Sequence, residues 1–224
     1  IYGYPLLTDE KWLSNIQKAT TLQTPHISAY SLTVEARTAL ANAIKNEKQA
    51  HLSDEQSASQ FLTLTEKLAV AGFEHYEISN YALPGKYAIH NTNYWKGIPY
   101  LGIGPSAHGF DGQNRYINVA NNAKYLSLLA DNNLAETVEE LSQTDRFNEY
   151  IMTSLRTMWG LDLQKIASDF GKLFETETRK QMKLFVEKGQ LTLDGSIIKL
   201  TAEGKLFADG IAAELFVDDD LNQK

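Results

Sequence analysis

The residues best equipped for chemistry are clustered at His90-Asn91-Thr92-Asn93-Tyr94-Trp95. A neutral imidazole can donate to a metal or a haem iron, and a neighbouring tyrosine and tryptophan offer flat faces to a macrocycle. The same residue types equally suit a histidine that caps a turn while Tyr94 and Trp95 pack into a core. Spacing alone leaves both readings open.

Two further clusters invite the same question. In Gly102-Ile103-Gly104-Pro105-Ser106-Ala107-His108-Gly109, closely spaced glycines let backbone approach a ligand. Ala107 occupies the last glycine position of a dinucleotide fingerprint, and there is no phosphate-loop lysine. The alternative is tight backbone packing, with His108 structural. The third cluster, Glu74-His75-Tyr76-Glu77-Ile78-Ser79-Asn80, places His75, Glu77 and Ser79 on one face of a strand by alternation. That face lines a site or meets solvent. Glu35 has no visible partner, and no Ser-His-Asp or HExxH pattern occurs.

The elements that must position these residues differ between the two halves of the chain. All 5 Pro and all 5 His precede residue 109. Thr8 reads as the cap of a helix through Trp12, Leu13, Ile16 and Ala19. His26–Val34 reads as a strand. Ser53 and Gln56 suggest a capping box before a helix through Phe61, Leu64 and Leu68 that closes at Gly72. His75–Ile78 reads as a further strand. Strand, helix, strand, helix, strand predicts parallel βαβ units, with active residues at the strands' carboxyl ends. Residues 80–118 read as a long irregular segment of the functional kind. Beyond them, helices through Phe147–Met158, Leu163–Phe170 and Phe174–Glu187 precede a hairpin around Asp194-Gly195 and a last helix through Phe207, Ile211 and Leu215. This is a winged-helix-like order. The acidic tail from Asp218 to Lys224 is expected to fray.

Composition narrows the function classes. The 224 residues are 43% hydrophobic and 22% charged, with 21 Lys+Arg against 28 Asp+Glu, a net of −7. Neither half is basic, and Arg179, Lys180 and Lys183 are interspersed with Glu175, Glu177 and Glu187, so nucleic acid is not an expected partner. No apolar run approaches the roughly 18 residues of a membrane span, and no targeting motif is visible, so the expected location is cytoplasmic. With no cysteine, these residues offer no thiolate to an iron–sulfur cluster. The opening Ile1-Tyr2-Gly3-Tyr4-Pro5 reads as the middle of a strand and suggests sequence upstream.

Taken in order, IYGYP, HISAYSLTVE, FEHYEISNYALPG, HNTNYW and YLGIGPSAHGF resemble the HemN/HemW group of radical S-adenosylmethionine (SAM) proteins, as does the C-terminal LTAEGKLFADGIAAELF. The resemblance covers nearly the whole chain. It implies an α/β fold: an incomplete (β/α) radical-SAM barrel portion over residues 1–134, followed by a small winged-helix-like α+β domain over 135–224 that covers the barrel mouth. In this group three cysteines of a CxxxCxxC motif hold a [4Fe–4S] cluster that binds and cleaves SAM. The absence of cysteine then implies that the cluster half lies upstream, and that this chain alone does not cleave SAM.

The group holds haem chaperones and oxygen-independent coproporphyrinogen III oxidases. His90, Asn91, Tyr94 and Trp95 match the His-Asn-x-x-Tyr-Trp motif associated with haem binding on the chaperone side, which implies His90 as the haem-iron ligand. Looser matches imply SAM contacts at Ile1, Tyr2, Leu32, Thr33, Ser106, Ala107 and His108. The implied partners are haem and a haem-accepting protein, and a homodimer remains open. Porphyrinogen oxidation is the alternative within the group, and a non-catalytic winged-helix regulator is the alternative outside it.

Overall fold

The computed structural model describes residues 1–219 and Leu221. The tail expected to fray from Asp218 includes Asp220 and residues 222–224, which lie outside the described residues. The chain forms two compact units, Ile1–Ala88 and Ile89–Lys224. The boundary expected after residue 134 therefore falls within the second unit.

In the first unit, α1 (Asp9–Thr21) packs on α3 (Asp54–Val70), burying Trp12 and Ile16 together with Phe61, Leu64 and Leu68. Each such side chain contributes roughly 1.5–3 kcal/mol on burial. Thr8 Oγ1 accepts from the Lys11 amide and Ser53 Oγ from the Gln56 amide, so both helices start at the expected caps. Gly72, at φ +86°, takes the left-handed turn after α3. A short helix, α2 (Ala39–Lys45), lies between β1 (His26–Ser28) and α3.

The strands of this unit do not pair directly in parallel, contrary to the expected βαβ arrangement. β2 (Glu74–Glu77) turns back through Ile78 and Ser79 into β3 (Asn80–Ala82), which inserts between β1 and β2 and runs antiparallel to both. β1 and β2 therefore point the same way without pairing, although the His26 ring nitrogen and the Tyr76 hydroxyl meet across them at 2.8 Å. Parallel pairing survives only as an isolated bridge between Tyr2 and Ser31. The expected long strand His26–Val34 divides accordingly into β1 and that bridge.

The second unit begins with α4 (Ile89–Trp95), so the cluster starting at His90 is helical rather than irregular. β4 (His108–Phe110), β5 (Asn114–Asn118) and β6 (Glu136–Glu140) form an antiparallel sheet, with α5 (Asn122–Ala130) between β5 and β6. α6 (Gln143–Leu155) starts from a capping box of Ser142 and Asp145. It is followed by β7 (Leu161–Asp162), α7 (Leu163–Asp169), α8 (Lys172–Glu187), the hairpin β8 (Leu191–Asp194) and β9 (Ile197–Leu200), and α9 (Ala208–Glu214). The sheet order is β7-β9-β8, and Gly195 makes the hairpin turn at φ +60°. Phe147, Ile151, Leu155, Leu161, Leu163, Ile166, Phe174 and Ile198 form a fully buried core. On α8, Arg179 pairs with the buried Glu175 and Lys180 with Glu177. No described helix is long and apolar enough to cross a membrane.

Candidate functional site

α4 arranges its motif residues by helical spacing. His90 and Tyr94 are four apart and meet edge to face at 4.8 Å. Tyr94 then contacts Tyr100 at 4.4 Å, and Tyr100 contacts Phe110 of β4 at 6.3 Å. A backbone bridge between Tyr100 and Phe110 locks this ladder of rings in place, with hydrogen bonds of 2.8 and 2.9 Å. Asn91 and Trp95 lie on the adjoining face of the helix.

A cavity of about 1030 Å³ opens beside this ladder, wholly within the second unit. It lies at the upper end of the roughly 300–1,000 Å³ range of small-molecule sites. One wall is α4, with Asn91, Tyr94, Trp95 and Lys96; another is α6, with Arg146, Glu149, Tyr150 and Thr153. Tyr100, Phe110 and Arg115 come from the sheet side. Trp159 and Gly160, then Lys165, Asp169 and Phe170, complete it. At Gly160, φ is +77° and a Cβ would lie 2.4 Å from the Ile198 carbonyl oxygen, so only glycine lets this turn press onto β9.

The lining is aromatic and cationic. Burial raises the pKa of Tyr100 and of Tyr150, which keeps both phenols neutral. Four cations (Lys96, Arg115, Arg146 and Lys165) face two carboxylates (Glu149 and Asp169), an excess of positive charge in a chain whose net charge is −7. Arg115 binds Glu139 at 3.0 Å and also Glu149, while Lys165 binds Asp169. The Lys96 ammonium lies 4.6 Å from the centroid of Trp159. The indole Nε1 of Trp95 is buried and has no hydrogen-bond partner among the described residues. Together these features suit a flat, apolar ligand with acidic substituents.

His90 is not among the residues lining the cavity. It is exposed on the first turn of α4, and its ring nitrogens make no hydrogen bond to the described residues, so they are available to a metal. No group of three or more His, Cys, Asp or Glu that could hold a metal ion occurs among the described residues.

The positions matched to SAM contacts divide between the units. In the first, Ile1, Tyr2, Leu32 and Thr33 are adjacent, since the Leu32 amide donates to the Tyr2 carbonyl at 2.8 Å. The Tyr2 ring faces inward, 5.6 Å from Trp12, and burial pushes its phenol up to about 12. In the second, Ser106 and His108 are exposed and Ala107 is half-buried. Ser106 holds a left-handed backbone at φ +61°.

The glycine-rich segment is packed tightly. A Cβ on Gly102 would lie 2.5 Å from the backbone carbon and oxygen of His108. Asn118, unremarked in the sequence, donates from Nδ2 to the Gly102 and Gly104 carbonyls at 3.2 and 2.9 Å, pinning the loop. In the strand-end cluster, the buried Glu77 carboxylate accepts from the Ser79 amide at 3.2 Å and from the Asn80 side chain, whose oxygen accepts from Ser28 at 2.6 Å. His75 stacks on Tyr81 at 4.2 Å, so this cluster forms part of the sheet's interior.

Comparison with known proteins gives a consistent result. Residues 141–207 match the HemN C-terminal domain family. Among curated relatives, the protein named Heme chaperone HemW from Mycobacterium tuberculosis is 31% identical over 96% of this chain and 53% of its own length. Those of the same name from Bacillus subtilis and Escherichia coli are each 29% identical, covering 94% and 97% of this chain and 56% of their own length. The chain thus spans about half the length of these relatives. The structure of E. coli coproporphyrinogen III oxidase (HemN), described as a radical SAM enzyme, matches with a TM-score of 0.73 at 19% identity over 96% of this chain and 53% of that one. At that identity the likeness concerns fold.

Proposed function

We propose that this chain, which belongs to the HemN/HemW family of radical SAM proteins, works in a haem chaperone, receiving haem as cargo in the cavity beside α4 and releasing it to an acceptor protein. The observation that carries this reading is the match to proteins named as haem chaperones over nearly the full length of the chain. The cavity supports it. Its aromatic walls suit the face of a tetrapyrrole, and its excess positive charge suits propionate groups.

His90 would donate to the iron from its exposed position at the start of α4, with Tyr94 holding the imidazole edge-on. Asn91, Tyr94 and Trp95 would contact the macrocycle from the cavity wall. SAM would meet the backbone of Ile1, Tyr2, Leu32 and Thr33 and the exposed loop Ser106, Ala107 and His108. A thiolate-held [4Fe–4S] cluster would need cysteines other than any in this sequence. The three helices and three strands from α6 to β9 would form the winged-helix-like domain, and the lack of a basic balance argues against its reading DNA.

The test is a haem titration followed at the Soret band, for the wild type and for His90→Ala. Saturable binding by the wild type and a shifted spectrum in the variant are expected. Equal affinity with an identical spectrum would remove His90 as the ligand, and no saturable binding would remove haem as the cargo. Turnover of coproporphyrinogen would instead favour the oxidase reading.

A further inference from the structure

The charges around the cavity are unequally engaged. Arg115 and Lys165 are each committed to carboxylates that line or flank the same space. Lys96 and Arg146 are not. Among the described residues neither has a carboxylate partner. The Lys96 ammonium lies over the Trp159 ring, and Arg146 makes only a 3.4 Å bond from Nε to the Ser142 carbonyl. The forked end of the Arg146 guanidinium therefore retains its bidentate capacity for a carboxylate. The cavity's surplus over its own two carboxylates is thus two cations, and these are the two that lack partners.

A ligand matched to this site is flat and aromatic and carries two carboxylates. We infer that Lys96 and Arg146 each take one carboxylate of a dicarboxylic tetrapyrrole and so select two-carboxylate over four-carboxylate macrocycles. This rests on the reading of the cavity as the haem site and adds a selection rule to it. Two carboxylates neutralise the surplus. Two more would have no unpaired cation left to meet and would lose hydration beside the Arg115–Glu149 and Lys165–Asp169 pairs, which costs affinity. Lys96 sits at the end of α4 and Arg146 in the first turn of α6, so the two contacts would fasten the ligand to both helical walls.

The test compares three probes on the wild type: haem, haem dimethyl ester, which keeps the macrocycle and iron but has no acidic group, and iron coproporphyrin with four carboxylates. Two partly exposed charge contacts predict roughly tenfold tighter binding of haem than of the ester, a preference that shrinks as salt is raised. Iron coproporphyrin is expected to bind more weakly than haem. In the Lys96→Met/Arg146→Met double variant, the preference for haem over its ester should vanish while the ester's affinity stays within about twofold. Far-UV circular dichroism and melting report the variant's fold, and the wild-type comparison needs no variant at all. If the wild type binds haem and ester equally, if it prefers iron coproporphyrin, or if the double variant keeps the preference, the inference is wrong while the haem reading stands. If the wild type binds none of the three, the haem reading itself fails and the inference with it.

Discussion

Replacing Gly102 by alanine tests whether the glycine-rich segment serves packing or ligand approach. The new Cβ would sit 2.5 Å from both the carbon and the oxygen of the His108 carbonyl and 2.9 Å from the Gly109 nitrogen. All three are backbone atoms of β4, which is paired with β5, so no flexible side chain can give way. Relief needs a shift of about 1 Å, since ordinary carbon contacts lie near 3.5–4.0 Å. That shift would stretch the Tyr100–Phe110 bridge, whose hydrogen bonds are now 2.8 and 2.9 Å. Overpacking costs about 1–3 kcal/mol, and each weakened hydrogen bond costs about 0.5–1.5 kcal/mol. A total near 2–6 kcal/mol lowers Tm by roughly 5–25 °C for a protein of this size. Gly210→Ala is the matched control. It lies within α9 with open space around its Cβ position, and alanine there should raise stability by about 0.4–1 kcal/mol. Differential scanning calorimetry of both variants reads the contrast. A Gly102→Ala protein melting within about 1 °C of wild type would refute the packing role and return this glycine to the candidates for ligand contact.

Gln60, only 1% exposed, accepts from the Gly3 amide at 2.9 Å and donates to the Leu7 carbonyl at 3.0 Å. Gln60→Ala should cost about 2–4 kcal/mol, seen in urea denaturation as a lower midpoint at an unchanged slope. Asp111 accepts from the Asn114 and Gln113 amides and the Tyr116 hydroxyl, which together hold its carboxyl at about 2 against an ordinary 3.8. Its contribution is therefore complete above about pH 4 and is lost as pH falls towards 2. Asp111→Ala should be less stable than wild type at neutral pH, with the gap in midpoint closing through that acidic window; a gap independent of pH would contradict the assignment.

Local order along the chain was legible because it rests on short-range signals. The caps at Thr8 and Ser53, the turn at Gly195 and the apolar period Phe147, Ile151, Leu155 each follow from a few adjacent residues. Pairing in the first unit was not. β3 is only Asn80-Tyr81-Ala82, and the chain reverses into it through Ile78-Ser79 without glycine or proline, so nothing local announces the strand that separates β1 from β2. The helix α4 was obscured by the glycine- and proline-rich residues around it.

One wall of the cavity could be read from one motif, and the rest could not. Asn91, Tyr94 and Trp95 stand together in the sequence and share one wall. Arg146, Tyr150 and Thr153 recur at helical spacing on the face of α6 flanking its buried residues, a signal present in the sequence but overshadowed by the stronger apolar stripe. Trp159 and Lys165 come from distant segments, and only tertiary folding gathers them beside Lys96 and Tyr100. The placement of His90 outside the lining also depends on that folding, because a helix puts residues four apart on one side and leaves the first of them at the helix's open end.

The most direct measurement is a crystal structure of the protein with haem bound. The macrocycle is expected in the cavity between α4 and α6, against Tyr94, Tyr100 and Trp159, with its two carboxylates at Lys96 and Arg146. A macrocycle bound elsewhere on the protein, with this cavity filled only by solvent, would contradict the proposed site.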